Sequence, residues 1–116
     1  MGTWGGAPWD NDHAADWFGR LFDETHLRDR VVEGLRSPLQ RFETIRAAAH
    51  VLVQLGQVYI WPIDSLDQDL ELAASRLEEV LEKLHWEEQA GHEDERRVSI
   101  RNEIATLRSR KRERAP

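Results

Sequence analysis

From Leu66 to Leu84 the chain repeats apolar residues at three- and four-residue steps: Leu66, Leu70, Ala73, Leu77, Val80, Leu81 and Leu84. Only an α-helix brings that spacing onto one face, and a stripe sustained over so many turns must be covered. The cover is either another helix of the same chain or a second copy, so a homodimer through the Leu70–Leu84 seam is one expectation. Ser65-x-x-Gln68 has the pattern of a capping box at the helix start. Asp67 and Asp69 then fall in the first turn, where the helix dipole favours acids.

The rest of the chain reads in the same helical period. Residues 1–9, with Gly2, Gly5, Gly6 and Pro8, cannot be helical and form an irregular arm carrying Trp4 and Trp9. A first helix starts within Asp10-Asn11-Asp12, all good N-caps, and aligns Ala14, Trp17, Phe18, Leu21 and Phe22 as a core-facing stripe. With Asp10 as cap, Trp9 would staple against Ala14, and Asp16 can pair with Arg20 four residues on. A second helix begins near Thr25, places Leu27, Val31 and Leu35 on one face, and stops between Gly34 and Ser37, ahead of Pro38. A third takes Ser37 as cap, Pro38 at its first position and Gln40 to complete a capping box. Its stripe is Leu39, Phe42, Ile45, Ala49, Leu52 and Val53, His50 reads as a packed core histidine, and Gly56 is expected as a left-handed C-cap.

Val58 to Ile63 is the one β-flavoured run; with no second run to pair with, it reads as an extended, partly buried connection. Gly91 breaks the chain before a fifth helix from about Glu93 to Arg110, with Val98, Ile100, Ile104 and Leu107 as its apolar face and a frayed tail over residues 111–116. The expected fold is therefore all-α, a single compact bundle of four to five helices over residues 1–116 with an irregular Gly/Trp-rich N-terminal arm.

With 116 residues, 40% hydrophobic and 33% charged, the chain can bury one core but not two. No apolar run approaches bilayer length and the N-terminus lacks a signal pattern, so no membrane association is expected. Met1-Gly2 lacks the Ser or Thr that myristoylation wants at the sixth position, which is Gly6. The absence of cysteine excludes disulfides, thiolate metal sites and cysteine nucleophiles, and the expected address is the cytoplasm. The net charge of −6 conceals a polarity: acids dominate from Asp64 to Glu95, opposed only by Arg76 and Lys83. From Arg96 the balance reverses, with Arg97, Arg101, Arg108, Arg110, Lys111, Arg112 and Arg114 following. Such a segment either binds nucleic acid, or lies against the acidic helix before it or simply faces solvent, and the persisting helical period favours the latter pair of readings.

The sharpest cluster for chemistry is Asp10, Asn11, Asp12, His13 and Asp16. Asp12, His13 and Asp16 offer oxygen and nitrogen ligands within one helical turn, so a metal-assisted hydrolase is one reading; N-capping on a solvated face is the plainer one. The calcium-loop pattern is absent, since Ala14 and Ala15 follow His13. His13, His26, His50, His85 and His92 show no zinc-ligand spacing, and no nucleophile elbow, phosphate loop or dinucleotide fingerprint occurs. No catalytic residue is assigned. The five tryptophans serve as core anchors or, for one or two of them, as contacts to a partner; Trp86, near a helix end, is the first candidate for exposure.

The opening Met1-Gly2-Thr3-Trp4-Gly5, then Trp9, Asp10-Asn11-Asp12, Ala15 and Asp16, resembles the N-terminal signature of a small bacterial family, domain of unknown function 4259. The likeness continues loosely through Ser37–Gly56 and Glu79–Glu88, and departs at Ala7 and Trp9, where that family favours glycine and phenylalanine. The resemblance implies a compact cytoplasmic bacterial domain and implies no known reaction, cofactor or catalytic residue. The expected function is a non-enzymatic protein-interaction module, an immunity or regulatory partner of another, basic protein. Its contact residues would be Trp4, Trp9, Asp10, Asn11, Asp12, Asp16 and Trp86. The alternatives are the metal-assisted hydrolase at Asp10–Asp16 and nucleic-acid binding through Arg96–Arg114, the latter opposed by overall acidity.

Overall fold

A computed structural model of the chain describes residues 6–86 and 93–111, without the side chains of residues 86, 93 and 94. Expectations for Trp4, for the Trp86 side chain and for the tail from 112 onward lie outside the described residues. All regular structure among the described residues is helical: α1 (Asp12–Thr25), α2 (Leu27–Leu35), α3 (Phe42–Leu55), α4 (Leu66–Trp86) and α5 (Glu93–Ser109). None of these helices is long and apolar enough to cross a membrane.

The α4 seam is the axis of the core. Leu66, Leu70, Ala73, Leu77 and Val80 are wholly buried and Leu84 nearly so, packed with Ile45, Ala49 and Leu52 of α3 and Ile100 and Leu107 of α5. The seam is thus covered inside the chain, with Leu81 alone of its residues left part-exposed. Val31 and Leu35 of α2 and Phe22 of α1 extend the same core. At Gly34 a Cβ would lie 2.9 Å from Ala48 Cβ, so the missing side chain is what lets α2 lie directly on α3.

Several helix ends differ from their sequence signals. Asn11, not Asp10, caps α1: its Oδ1 accepts from Ala14 N at 2.8 Å, while Asp10 Oδ2 accepts from Ala7 N at 3.0 Å and closes a turn before the helix. The Asp16–Arg20 pair does not form; both residues are exposed. Between α1 and α2 the chain turns at one left-handed residue, His26 (φ 53°), a position that no glycine marks. The Ser37/Gln40 capping box is also not made. Pro38 is extended, a 3-10 turn fills Leu39–Arg41, and α3 starts at Phe42 without a side-chain cap. Gly56 is not left-handed (φ −79°); its need is space, because a Cβ would stand 2.5 Å from Leu52 O and 3.1 Å from Leu70 Cδ2. His50 is exposed on α3 rather than packed, and Val98 on α5 is 53% exposed, leaving Ile100, Ile104 and Leu107 to hold that helix.

Among the described residues of the basic C-terminal segment, Arg97, Arg108, Arg110 and Lys111 bond to other elements of the bundle, while Arg101 is exposed. Arg108 bonds Glu71 (2.9 Å) and Glu78 (2.7 Å) of α4, and Lys111 reaches Glu71 at 3.1 Å. The hydrogen bonds from Arg108, with smaller help from Ser75 and Lys111 and against desolvation, hold the Glu71 carboxyl down at about 2. Three arginines cap helix C-termini from a neighbouring element: Arg76 donates to Leu35 O and Ser37 O, Arg97 to Leu84 O, and Arg110 to Leu52 O and Val53 O. Each supplies donors to carbonyls at or just past a helix end, Leu52 O also accepting from Gly56 N, and places positive charge at the negative end of a helix. Lost hydration depresses the Arg110 guanidinium pKa.

Candidate partner-binding groove

The run Val58–Ile63 is folded into successive turns rather than extended. Ile60 N and Trp61 N both donate to Gln57 O, at 3.1 and 3.0 Å, and Tyr59 takes a left-handed φ of 75°. For a bulky residue that geometry costs about 1–2 kcal/mol, so the surrounding structure must hold it in place. Two anchors do so. Ile60 and Trp61 are buried, and Trp61 meets Phe22 of α1 edge-to-face, with ring centroids 5.1 Å apart.

The Trp61 indole N–H donates to Asp69 Oδ2 at 2.9 Å. Asp69 is wholly buried, and Arg28 of α2 grips it with Nε to Oδ2 and Nη2 to Oδ1, both at 2.8 Å. The hydrogen bonds that Arg28 donates to Asp69 raise the Arg28 pKa against a desolvation cost. This three-residue clamp ties α2, the 57–65 connection and α4 together with both carboxylate oxygens satisfied. The first-turn position of Asp69 is one that the helix dipole favours. Its two partners lie 8 and 41 residues away, beyond any local pattern.

The clamp fixes one wall of a solvent-open groove of about 390 Å³. Val58, Tyr59, Ile60, Trp61, Pro62 and Ile63 form that wall, and Ala15, Gly19, Phe22 and Asp23 of α1 form the other. Tyr59 and Ile63 are 49% and 41% exposed. Gly19 leaves the α1 wall low: a Cβ built there would meet nothing within 4 Å. A smaller concavity on the far side of Tyr59 is lined by Trp9, Asp10, Gln57, Val58 and Arg110.

Of the residues expected to contact a partner, Trp9 and Asp10 therefore border this region, with Trp9 packed on the core edge. Asn11 is committed to capping, and Asp12, His13 and Asp16 are exposed. No group of three or more His, Asp or Glu side chains among the described residues is placed to hold a metal ion. Trp17, expected in the core, is 53% exposed beside Phe18. Its stripe-mate Phe22 alone on α1 is buried, because α1 meets the bundle only along the Phe22 edge. The groove itself escaped the sequence. The β-flavoured apolar run with a tyrosine in its middle was the available signal.

No family model, curated protein or solved structure matches the chain.

Proposed function

We propose that the chain is a non-enzymatic protein-interaction module, an immunity or regulatory partner that docks another protein at the α1 end of the bundle. The observation that carries this reading is the apolar groove between α1 and Val58–Ile63, with Tyr59 and Ile63 half-exposed on its rim. Solvent-open apolar concavities with aromatic rims are favourable places to desolvate a partner side chain. The uncovered Trp17 adds a second apolar contact on the same helix. A bacterial, cytoplasmic setting is what the resemblance to domain of unknown function 4259 would imply for such a module, and the acidic surface suits a basic partner.

The test is a selection from a displayed library of small proteins and helical peptides, followed by counter-screening on Gly19→Phe and Ile63→Asp. Gly19→Phe fills the groove at a site with room for a side chain. Clones that bind the parent and lose both variants support the reading. Selected clones indifferent to both substitutions contradict it.

A further inference from the structure

On α1, Ala15, Gly19, Asp12, Asp23 and Asp16 occupy one contiguous sector of about 100° at 3.6 residues per turn. The two small residues line the groove together with Phe22 and Asp23, and Asp12, Asp16 and Asp23 run along its edge over ~16 Å of helix. All three aspartates are exposed, and none enters an ion pair among the described residues. The contrast with α4 is direct, where Glu71 and Glu78 are matched by Arg108 and Lys111. Arg20 lies further round α1, beyond Asp16, and leaves the stripe unneutralised.

We infer that the groove receives a cationic amphipathic helix of a partner protein. Apolar side chains of that helix enter between Gly19 and Tyr59–Ile63, while its Lys or Arg residues lie along Asp12, Asp16 and Asp23. The inference rests on the docking reading above and assigns the partner's chemistry. Two observations beyond the acids support it. The groove is apolar and open, which asks for buried side chains rather than a metal or an anion. Ala15 and Gly19, four residues apart, let a second helix approach α1 closely, and grooves lined this way take the apolar face of an amphipathic helix. An extended basic strand fits less well, because the edge groups of Ile60 and Trp61 are turned inward to Gln57 O rather than offered for pairing.

The probe is a fluorescent helical peptide of about four turns with leucines at three- and four-residue steps and lysines flanking them. Its controls are a peptide of the same composition in scrambled order and one with glutamate for each lysine. Fluorescence anisotropy should show saturable binding at one site by the first peptide, about tenfold or more weaker binding by both controls, and weakening with salt. Asp12→Asn/Asp16→Asn/Asp23→Asn and, separately, Gly19→Phe should each weaken binding about tenfold, with the helical circular dichroism retained and thermal unfolding still cooperative. Equal binding of the scrambled peptide, or full binding to Gly19→Phe, overturns the inference, as does no binding at all. If the peptide fails while library-selected binders still lose Gly19→Phe, the partner chemistry falls and the docking reading stands. If those binders also ignore Gly19→Phe, both fall.

Discussion

The two ends of this bundle treat charge and apolar surface in opposite ways. Around α4 and α5 almost everything is matched within the chain: Leu66–Leu84 faces α3 and α5, Arg108 and Lys111 answer Glu71 and Glu78, and arginines close the ends of α2, α3 and α4. Along α1 less is matched. Trp17 stands half in water, Tyr59 across the groove is held at positive φ and half-exposed, and Asp12, Asp16 and Asp23 enter no ion pair among the described residues. On the proposed function, the first end is the scaffold and the second the working face. Stability should therefore reside in the first and binding in the second.

That division can be broken by mutation, beginning with the largest effects. Trp61→Ala removes the ring packed on Phe22 and orphans part of Asp69; a loss of about 3–5 kcal/mol in urea unfolding is expected. Asp69→Ala leaves the Arg28 guanidinium and the Trp61 N–H without their acceptor and should cost about 3 kcal/mol, the partial exposure of Arg28 limiting the damage. Gly34→Ala should cost about 1–3 kcal/mol by forcing α2 off Ala48. Trp17→Ala, in contrast, should stay within about 0.5 kcal/mol of the parent although it deletes the same side chain type as Trp61→Ala. A loss of several kcal/mol there would show that α1 belongs to the scaffold. Gly19→Ala should raise stability by about 0.5–1 kcal/mol, since the site is helical, open and gains only propensity.

Acid supplies a test confined to the scaffold. Glu71 titrates at about 2 when folded against 4.5 ordinarily, so the stabilisation from its Arg108 pairing is complete above pH 4.5 and is lost as pH falls from there toward 2. Denaturation curves recorded across that window should show the decline in the parent and a shallower one in Arg108→Met. Equal slopes would mean that the pairing contributes nothing in solution.

Much of the scaffold was legible in the sequence because periodicity is local. The α4 seam, the α2 face and the extent of α5 follow from three- and four-residue steps alone. Helix ends were less legible: Ser37-x-x-Gln40 carries a capping signal, but Pro38 stays extended and a 3-10 turn intervenes. Trp17 shows the limit of the pattern. An apolar stripe says that a face seeks cover, not that the chain supplies it. The Trp61–Asp69–Arg28 clamp and the groove it holds join residues from three parts of the chain, and the left-handed Tyr59 has no glycine to announce it. The Asp10–Asn11–Asp12 cluster was legible as a place, yet its members divide between a turn, a cap and an exposed rim.

The most direct test of the division is an NMR titration of the 15N-labelled protein with the leucine–lysine helix. The account expects amide shifts confined to residues 12–24 and 58–64, with α4 and α5 unmoved. Shifts spread along α4 and α5, or no shift anywhere at saturating peptide, would contradict a working face at the α1 end.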